Sequence, residues 1–304
     1  MSRVFEALTR AGKEKETGAS SLGGQWALRE KTLTEEGIRS DPADDILSVS
    51  VSLPHPELHS RSWREKLEEL IFGWDLRRYK THPIVALEKE SPTAEQYKLL
   101  REQVKRVRSE TGIRCLSVTS PVKRDGKTMV AVNLAAAIAL EYEEQVLLID
   151  GDLRNPEIHR YFGIRRSPGL ADYLSSGSDE DLKNYVQATF LPNLQILPAG
   201  RPSALTSELL AKEKMRSLMR EIRSRFPNHQ VIVDTSPVLS TPDPLVLGNQ
   251  VDKTIIVIRA GKTPRDYILK TIQAIQAKKV MGIVLNGVEL GMASKYYYYL
   301  NDST

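Results

Sequence analysis

One cysteine, few aromatic residues, no long apolar run and almost no excess of either charge set the first limits on this chain. The single cysteine, Cys115, excludes an internal disulfide and any multi-cysteine metal site, and it fits a reducing compartment. Lys and Arg number 43 against 39 Asp and Glu, a net charge of only +4. That balance excludes a polybasic nucleic-acid coat and an acidic solvating protein, so no nucleic-acid partner is expected. The longest nearly apolar run, Met129 to Leu140, is interrupted by Asn133 and stopped by Glu141. It falls short of the about 20 residues that a bilayer span requires. The first residues, Met1 to Leu8, have no apolar core of a signal peptide. The expected location is therefore the cytoplasm, or a membrane surface reached through a partner. What is present is ordinary for a globular chain: 304 residues, 40% apolar and 27% charged. A chain of this size buries roughly 70–75% of its unfolded surface without a metal or disulfide staple.

Three regions are expected: residues 1–84, 85–290 and 291–304. Residues 1–13 have Val4, Phe5 and Leu8 on one helical face. Residues 14–60 are rich in Glu, Lys, Ser, Gly and Thr and read as a mostly disordered linker. A second helix is expected at 62–78, where Trp63, Leu67, Leu70, Ile71 and Trp74 share a face. That face either packs on the main domain or docks on a membrane partner. From about Pro83 the chain acquires the texture of a compact domain. Ser91-Pro92 reads as a helix N-cap and first turn, followed by an apolar stripe of Tyr97, Leu100, Val104 and Val107. Lys98, Arg101, Lys105 and Arg108 form a basic stripe one residue round, either a solvated face or a protein contact.

Short apolar runs then alternate with helical patterns. The runs are Cys115–Thr119, Val146–Ile149, Leu194–Leu197, Val231–Val233, Thr254–Ile258 and Gly282–Leu285, and the helices lie at 127–140, 207–225 and 264–278. This alternation predicts an α/β fold with a mainly parallel sheet flanked by helices, whose ligands sit at the carboxyl ends of the strands.

Three strand tips carry chemistry. The first leads into Asp125-Gly126-Lys127-Thr128-Met129 at the start of a helix, where backbone N–H groups and the helix dipole favour phosphate. Lys127 is placed to reach the phosphates of ATP, and the Thr128 hydroxyl to bind Mg²⁺. Pro121 stands where the first glycine of the usual phosphate loop would be. A second copy of the tripeptide, Gly261-Lys262-Thr263, reads as a loop after a strand. The second tip is Asp150-Gly-Asp152-Leu-Arg154. Two carboxylates at i and i+2 share a direction, so one can hold Mg²⁺ while the other accepts a proton. Arg154 either neutralises phosphate charge or pins a carboxylate. The third tip, Asp234-Thr-Ser-Pro237, follows an apolar strand in the pattern that orders Mg²⁺ and its water in nucleotide hydrolases. Near the end, Tyr296, Tyr297, Tyr298 and Tyr299 are consecutive, out of 11 tyrosines in the chain. Residues 291–299 can extend about 30 Å at ~3.4 Å per residue, enough to reach a neighbouring subunit. A sticky binding peptide is the alternative. His159 reads as a surface residue and Cys115 as core.

Together these residues resemble the bacterial tyrosine autokinases of capsule and exopolysaccharide synthesis, over roughly residues 85–304. Gly169-Leu170, Pro198-Ala-Gly200, Arg259 to Thr263 and Val284-Leu-Asn286 are similar to the family too. Met1 to Ala11 look like the subgroup found with exosortase-linked systems. The resemblance implies a MinD-like P-loop fold and ATP-dependent transfer of phosphate to Tyr296–Tyr299, in trans. It implies that Lys127 orients the phosphates, that Thr128 and Asp152 ligate Mg²⁺ with Asp234 in support, that Asp150 is the base and that Asn286 meets the adenine. For Asn286 a strand-end turn is the other reading. Glu95, Lys98 and Arg101 take the places of the family's ring-interface residues, with lysine at 98 in place of an arginine. The implied partners are a membrane polysaccharide co-polymerase as activator, a cognate phosphotyrosine phosphatase and further copies of the chain in a ring, peripheral to the inner membrane. Two alternatives stay open. One is a partitioning ATPase of the MinD/ParA kind, whose signature lysine would stand where Val122 does. The other is an ATP-binding regulator of a polysaccharide export complex without kinase activity.

Overall fold

A computed structural model describes residues 82–88, 91–141, 144–177, 180–203 and 205–288. The two N-terminal helices, the linker and the tyrosine cluster expected from the sequence lie outside the described residues. A seven-stranded sheet runs through the middle in the order β3-β4-β2-β5-β1-β6-β7. The strands are β1 (Cys115–Thr119), β2 (Gln145–Asp150), β3 (Gln187–Ala188), β4 (Leu194–Leu197), β5 (His229–Asp234), β6 (Lys253–Arg259) and β7 (Val280–Asn286). Every pairing is parallel except β3 with β4. Near-continuous apolar runs form these strands because the sheet is covered on both faces.

On one face lie α1 (Pro92–Thr111), α2 (Lys127–Ala139) and α3 (Ile158–Phe162). The expected stripe of Tyr97, Leu100, Val104 and Val107 is buried there, and Gly112 ends α1 in a left-handed conformation at φ 71. Helix α2 is buried on all sides from Val130 to Ala139, which its run of small alanines permits. On the other face lie α4 (Leu170–Ser175), α5 (Thr206–Ala211), α6 (Glu213–Arg225) and α7 (Asp243–Gly248). Helix α8 (Arg265–Ile275) covers β6 and β7.

Several details differ from the sequence-based expectation. The single helix expected at 207–225 is broken at Lys212, which is extended (φ −60, ψ 152) between α5 and α6. The helix expected at 264–278 stops at Ile275, because Gln276 takes φ 70, and a 3₁₀ turn, Ala277–Lys279, follows. The short edge strand β3 was not expected. The basic stripe on α1 is largely used within the chain. Arg101 and Lys105 both pair with Glu141 and Arg108 pairs with Glu144, clamping α1 to the α2–β2 turn. Arg101, with only 16% of its side chain exposed, also bonds the Ala137 carbonyl. Glu95 and Lys98 pair with each other at the surface.

Candidate active site

Sheet order brings the three chemical tips together. β1 lies beside β5, and β5 lies between β1 and β2, with Val118 and Asp150 both in register with Asp234. The loop leaving β1 turns into α2 at Gly126, whose φ of 97 belongs to the left-handed region that glycine accepts without strain. A Cβ at this position would collide with the Asn286 amide.

The loop is braced from outside. The Asp125 carboxylate turns inward, accepting from the Val122 N–H at 3.2 Å and from the Thr263 hydroxyl at 2.9 Å. Burial raises its pKa, against the effect of those bonds. The Asp125 carbonyl accepts from the Asn286 amide at 2.8 Å, and the Arg124 carbonyl from the Arg259 guanidinium at 3.3 Å. Asp125 and Asn286 thus hold the loop in shape, and neither lines the cavity beside it. The second Gly-Lys-Thr is the loop expected after β6. Its Thr263 is nevertheless part of this site, which sequence reasoning missed.

Within the loop's embrace, Lys127 Nζ lies 2.8 Å from Asp152 Oδ2, 3.7 Å from Asp234 Oδ2 and 3.1 Å from Thr128 Oγ1. The Thr128 hydroxyl donates to Asp234 Oδ2 at 2.7 Å. Asp152 Oδ1 accepts from the Ser236 hydroxyl at 2.8 Å and the Asn155 N–H at 3.1 Å. Among the described residues Asp150 accepts only the Ile158 N–H, at 3.2 Å. One oxygen each of Asp150 and Asp234 is buried without a hydrogen-bond partner.

The electrostatics follow from this packing. Burial alone would lower the pKa of Lys127, but Asp234, Asp152 and Asp150 together raise it above its ordinary value. Burial and the neighbouring Asp234 push Asp150 well above the usual carboxylate range. Burial raises Asp234 to about 6, against the opposing pull of Lys127 and the Thr128 hydroxyl. Three buried carboxylates surround one lysine, which pairs with Asp152 and Asp234, and one oxygen each of Asp150 and Asp234 is unpaired. That surplus of anionic acceptors fits a divalent cation. Among the described residues no three acidic, histidine or cysteine side chains are arranged to hold a metal by themselves. Mg²⁺ does not require such a cage, since it takes one or two carboxylates and completes its shell with phosphate oxygens and water.

A cavity of about 300 Å³ opens in front of this cluster. Gly126, Lys127, Thr128, Met129 and Asp152 line it, as do the loop cations Lys123 and Arg124 and the motif residue Pro237; Asn155, Glu157 and Tyr161 line it without having been expected as site residues. Asp150 lies enclosed behind it. Arg154 does not line it at all. Its guanidinium instead bonds the fully buried Asp243 carboxylate at 2.9 Å and the Ser207 hydroxyl at 2.8 Å, so of the two roles expected it takes that of pinning a carboxylate. A larger open cleft, about 550 Å³ between α4 and Arg201, lacks the phosphate loop, and its Asp172–Arg201 ion pair closes on itself.

A strand, a phosphate-loop turn and two aspartate tips thus converge on one lysine. The tyrosine-protein kinase YwqD of Bacillus subtilis (strain 168) is 32% identical over 224 residues, which span 73% of this chain and 92% of YwqD. This chain belongs to the bacterial tyrosine-protein kinases. The tyrosine-protein kinase Etk of Escherichia coli (strain K12) is 30% identical over 255 residues, 83% of this chain but only 34% of Etk. The solved kinase domain of Escherichia coli Etk superposes with a TM-score of 0.65 at 26% identity, covering 83% of this chain and 96% of that domain. The BceF tyrosine kinase domain gives a TM-score of 0.63 at 26% identity, with 80% and 95% covered. No family model matches the chain. These relatives set aside the partitioning-ATPase alternative.

Proposed function

We propose that this chain is an ATP-dependent protein-tyrosine kinase that phosphorylates its own tail at Tyr296–Tyr299, in trans. The observation that carries the reading is the buried Lys127 shared by Asp152 and Asp234 behind the Gly126 turn, in a chain of this family. In this reading Gly126, Lys127, Thr128 and Met129 hold the phosphates of ATP, with Asp125 and Asn286 shaping the loop. Thr128 and Asp152 would hold Mg²⁺, with Asp234 fixing Thr128. The ion would draw charge off the phosphate oxygens. Lys127 moves from carboxylates to phosphate without leaving its buried place. The tyrosine oxygen bonds to the terminal phosphorus, the bond from that phosphorus to the bridging oxygen breaks, and ADP leaves. The phenol proton passes to a carboxylate, which we assign to Asp150. A phenol of pKa ~10 gains more from a positioned carboxylate than from bulk water. Arg154 acts through Asp243 and so fixes the course of the loop that carries Asp152.

The wider setting belongs to the same proposal. Residues 1–84 form an N-terminal region before a kinase domain of 85–290 and a tail of 291–304. Met1–Ala11 ally the chain with the exosortase-linked subgroup. Among the described residues no helix is long and apolar enough to cross a membrane. We propose a cytoplasmic enzyme held at the inner membrane by a polysaccharide co-polymerase, reversed by a phosphotyrosine phosphatase and assembled as a ring through the face of Glu95, Lys98 and Arg101. The trans reaction has a direct test. A Lys127→Met chain with an intact tail is mixed with a chain whose four tail tyrosines are phenylalanine. Phosphotyrosine on the Lys127→Met chain is the expected result; its absence, when the wild-type chain labels itself, would contradict transfer between chains.

A further inference from the structure

Two cations of the phosphate loop have no part in the chemistry so far. Lys123 and Arg124 line the same cavity as Lys127, and both are exposed. No ion pair among the described residues occupies either side chain. Arg124 also sits in the left-handed region at φ 70, a conformation it shares with only one other non-glycine among the described residues, Gln276. Glycine takes that conformation freely, and arginine does not. The loop holds it there: the Arg259 guanidinium bonds the Arg124 carbonyl, and the next residue, Asp125, is tied to Thr263 and Asn286. A side chain kept against its backbone preference at the rim of a ligand cavity points to a use for that side chain.

The surrounding charge says what the use is. A polyphosphate entering this cavity meets Asp152 and Glu157 in the wall and Asp150 and Asp234 behind it. Lys127 alone opposes them, and it is already engaged by two of them. We propose that Arg124, together with Lys123, is a phosphate-contacting cation that the chain supplies to its own nucleotide, and that the pair sets the preference for a triphosphate over a diphosphate. This rests on the nucleotide-site reading above. Attraction to the pair grows with the charge of the ligand, and a triphosphate carries about one charge more than a diphosphate. The guanidinium also offers a planar fork that matches phosphate oxygens.

The test uses the full chain and two fluorescent probes, a non-hydrolysable triphosphate and a diphosphate of adenosine, each titrated with Mg²⁺. Arg124→Gly fits the observed backbone, so its melting temperature is expected at or above that of the wild type. Its Kd for the triphosphate is expected to rise about tenfold, the scale of one charge-assisted contact. The Kd for the diphosphate is expected to change much less, so that the ratio between the two collapses. Lys123→Ala shifts the ratio in the same direction, and Arg124→Lys, which keeps the charge, recovers most of it. An unchanged ratio in Arg124→Gly overturns the proposal. An unchanged ratio with weakened tail phosphorylation would instead assign the cations to an acidic surface of a protein partner. Failure of the wild type to bind either probe, or equal binding by Lys127→Met, would overturn the nucleotide site itself and is distinct from both.

Discussion

The contact between Gly126 and Asn286 makes a quantitative prediction. Gly126→Ala meets two separate obstacles. The first is the backbone, since φ 97 costs an L-residue about 1–2 kcal/mol. The second is the Asn286 amide, which occupies the space of the new Cβ. Moving that amide breaks its 2.8 Å bond to the buried Asp125 carbonyl, a further loss of about 1–3 kcal/mol. The single variant should therefore lose about 2–5 kcal/mol. Asn286→Ala alone loses the amide bond and leaves the carbonyl unsatisfied, again about 1–3 kcal/mol. In the double variant the amide is already gone, so only the backbone penalty is added. The two losses then fall short of additivity by roughly the value of that bond, about 1–3 kcal/mol. Urea unfolding of the four proteins measures the coupling. Additive losses would refute the claim that Asn286 is the obstacle at Gly126, and with it the bracing of the phosphate loop by the end of β7.

Other consequences follow from neighbouring contacts. Thr263→Ala removes the donor to Asp125 and should weaken nucleotide binding about fivefold to tenfold, whereas Thr263→Ser keeps the hydroxyl and should bind nearly as the wild type does. Titration with a fluorescent nucleotide separates the two. Asp150→Asn should abolish tail phosphorylation while leaving nucleotide affinity close to that of the wild type; full autophosphorylation in that variant would remove Asp150 as the base. At the opposite end of the sheet, Asp252 accepts the Arg114 and Cys115 N–H groups and pairs with Arg223. Burial alone would raise its pKa, but these bonds hold it below the usual carboxylate value. Its contribution is therefore present above the unfolded pKa of about 4 and is lost as pH falls through the lower folded value. Asp252→Asn should be less stable than the wild type at pH 7, and urea midpoints measured down to pH 3 should show the gap closing.

The parts of the site legible in the sequence are those written locally. An apolar run ending in Asp150 or Asp234, and one leading to Gly126-Lys127-Thr128, each state a strand and its tip in one short stretch of chain. Parallel strands then bring the tips together by topology. What was not legible depends on distance along the chain. Thr263 is 138 residues from Asp125, and Asn286 is 161 residues from it. The two Gly-Lys-Thr tripeptides look alike until their contexts are compared. The first opens a buried helix, while the second runs into Pro264 and lends only its hydroxyl. The motif position of Arg154 left its partner open between phosphate and carboxylate, and a buried aspartate on α7 decided it. The break at Lys212 leaves a change of phase in the sequence, since Leu209 and Leu210 do not fall on the helical face shared by Met215, Leu218, Met219 and Ile222. Strand β3, at two residues, is too short for any periodicity.

The central claim is that Lys127 and its aspartates move phosphate from ATP to the tyrosines of the tail. The most direct measurement is phosphopeptide mass spectrometry of the C-terminal peptide after incubation of the full chain with Mg-ATP, beside a Lys127→Met control. The account predicts phosphate on Tyr296–Tyr299 in the wild type and none in the control. Equal labelling of both chains would contradict it, as would an unlabelled wild type when the cytoplasmic segment of a polysaccharide co-polymerase is supplied.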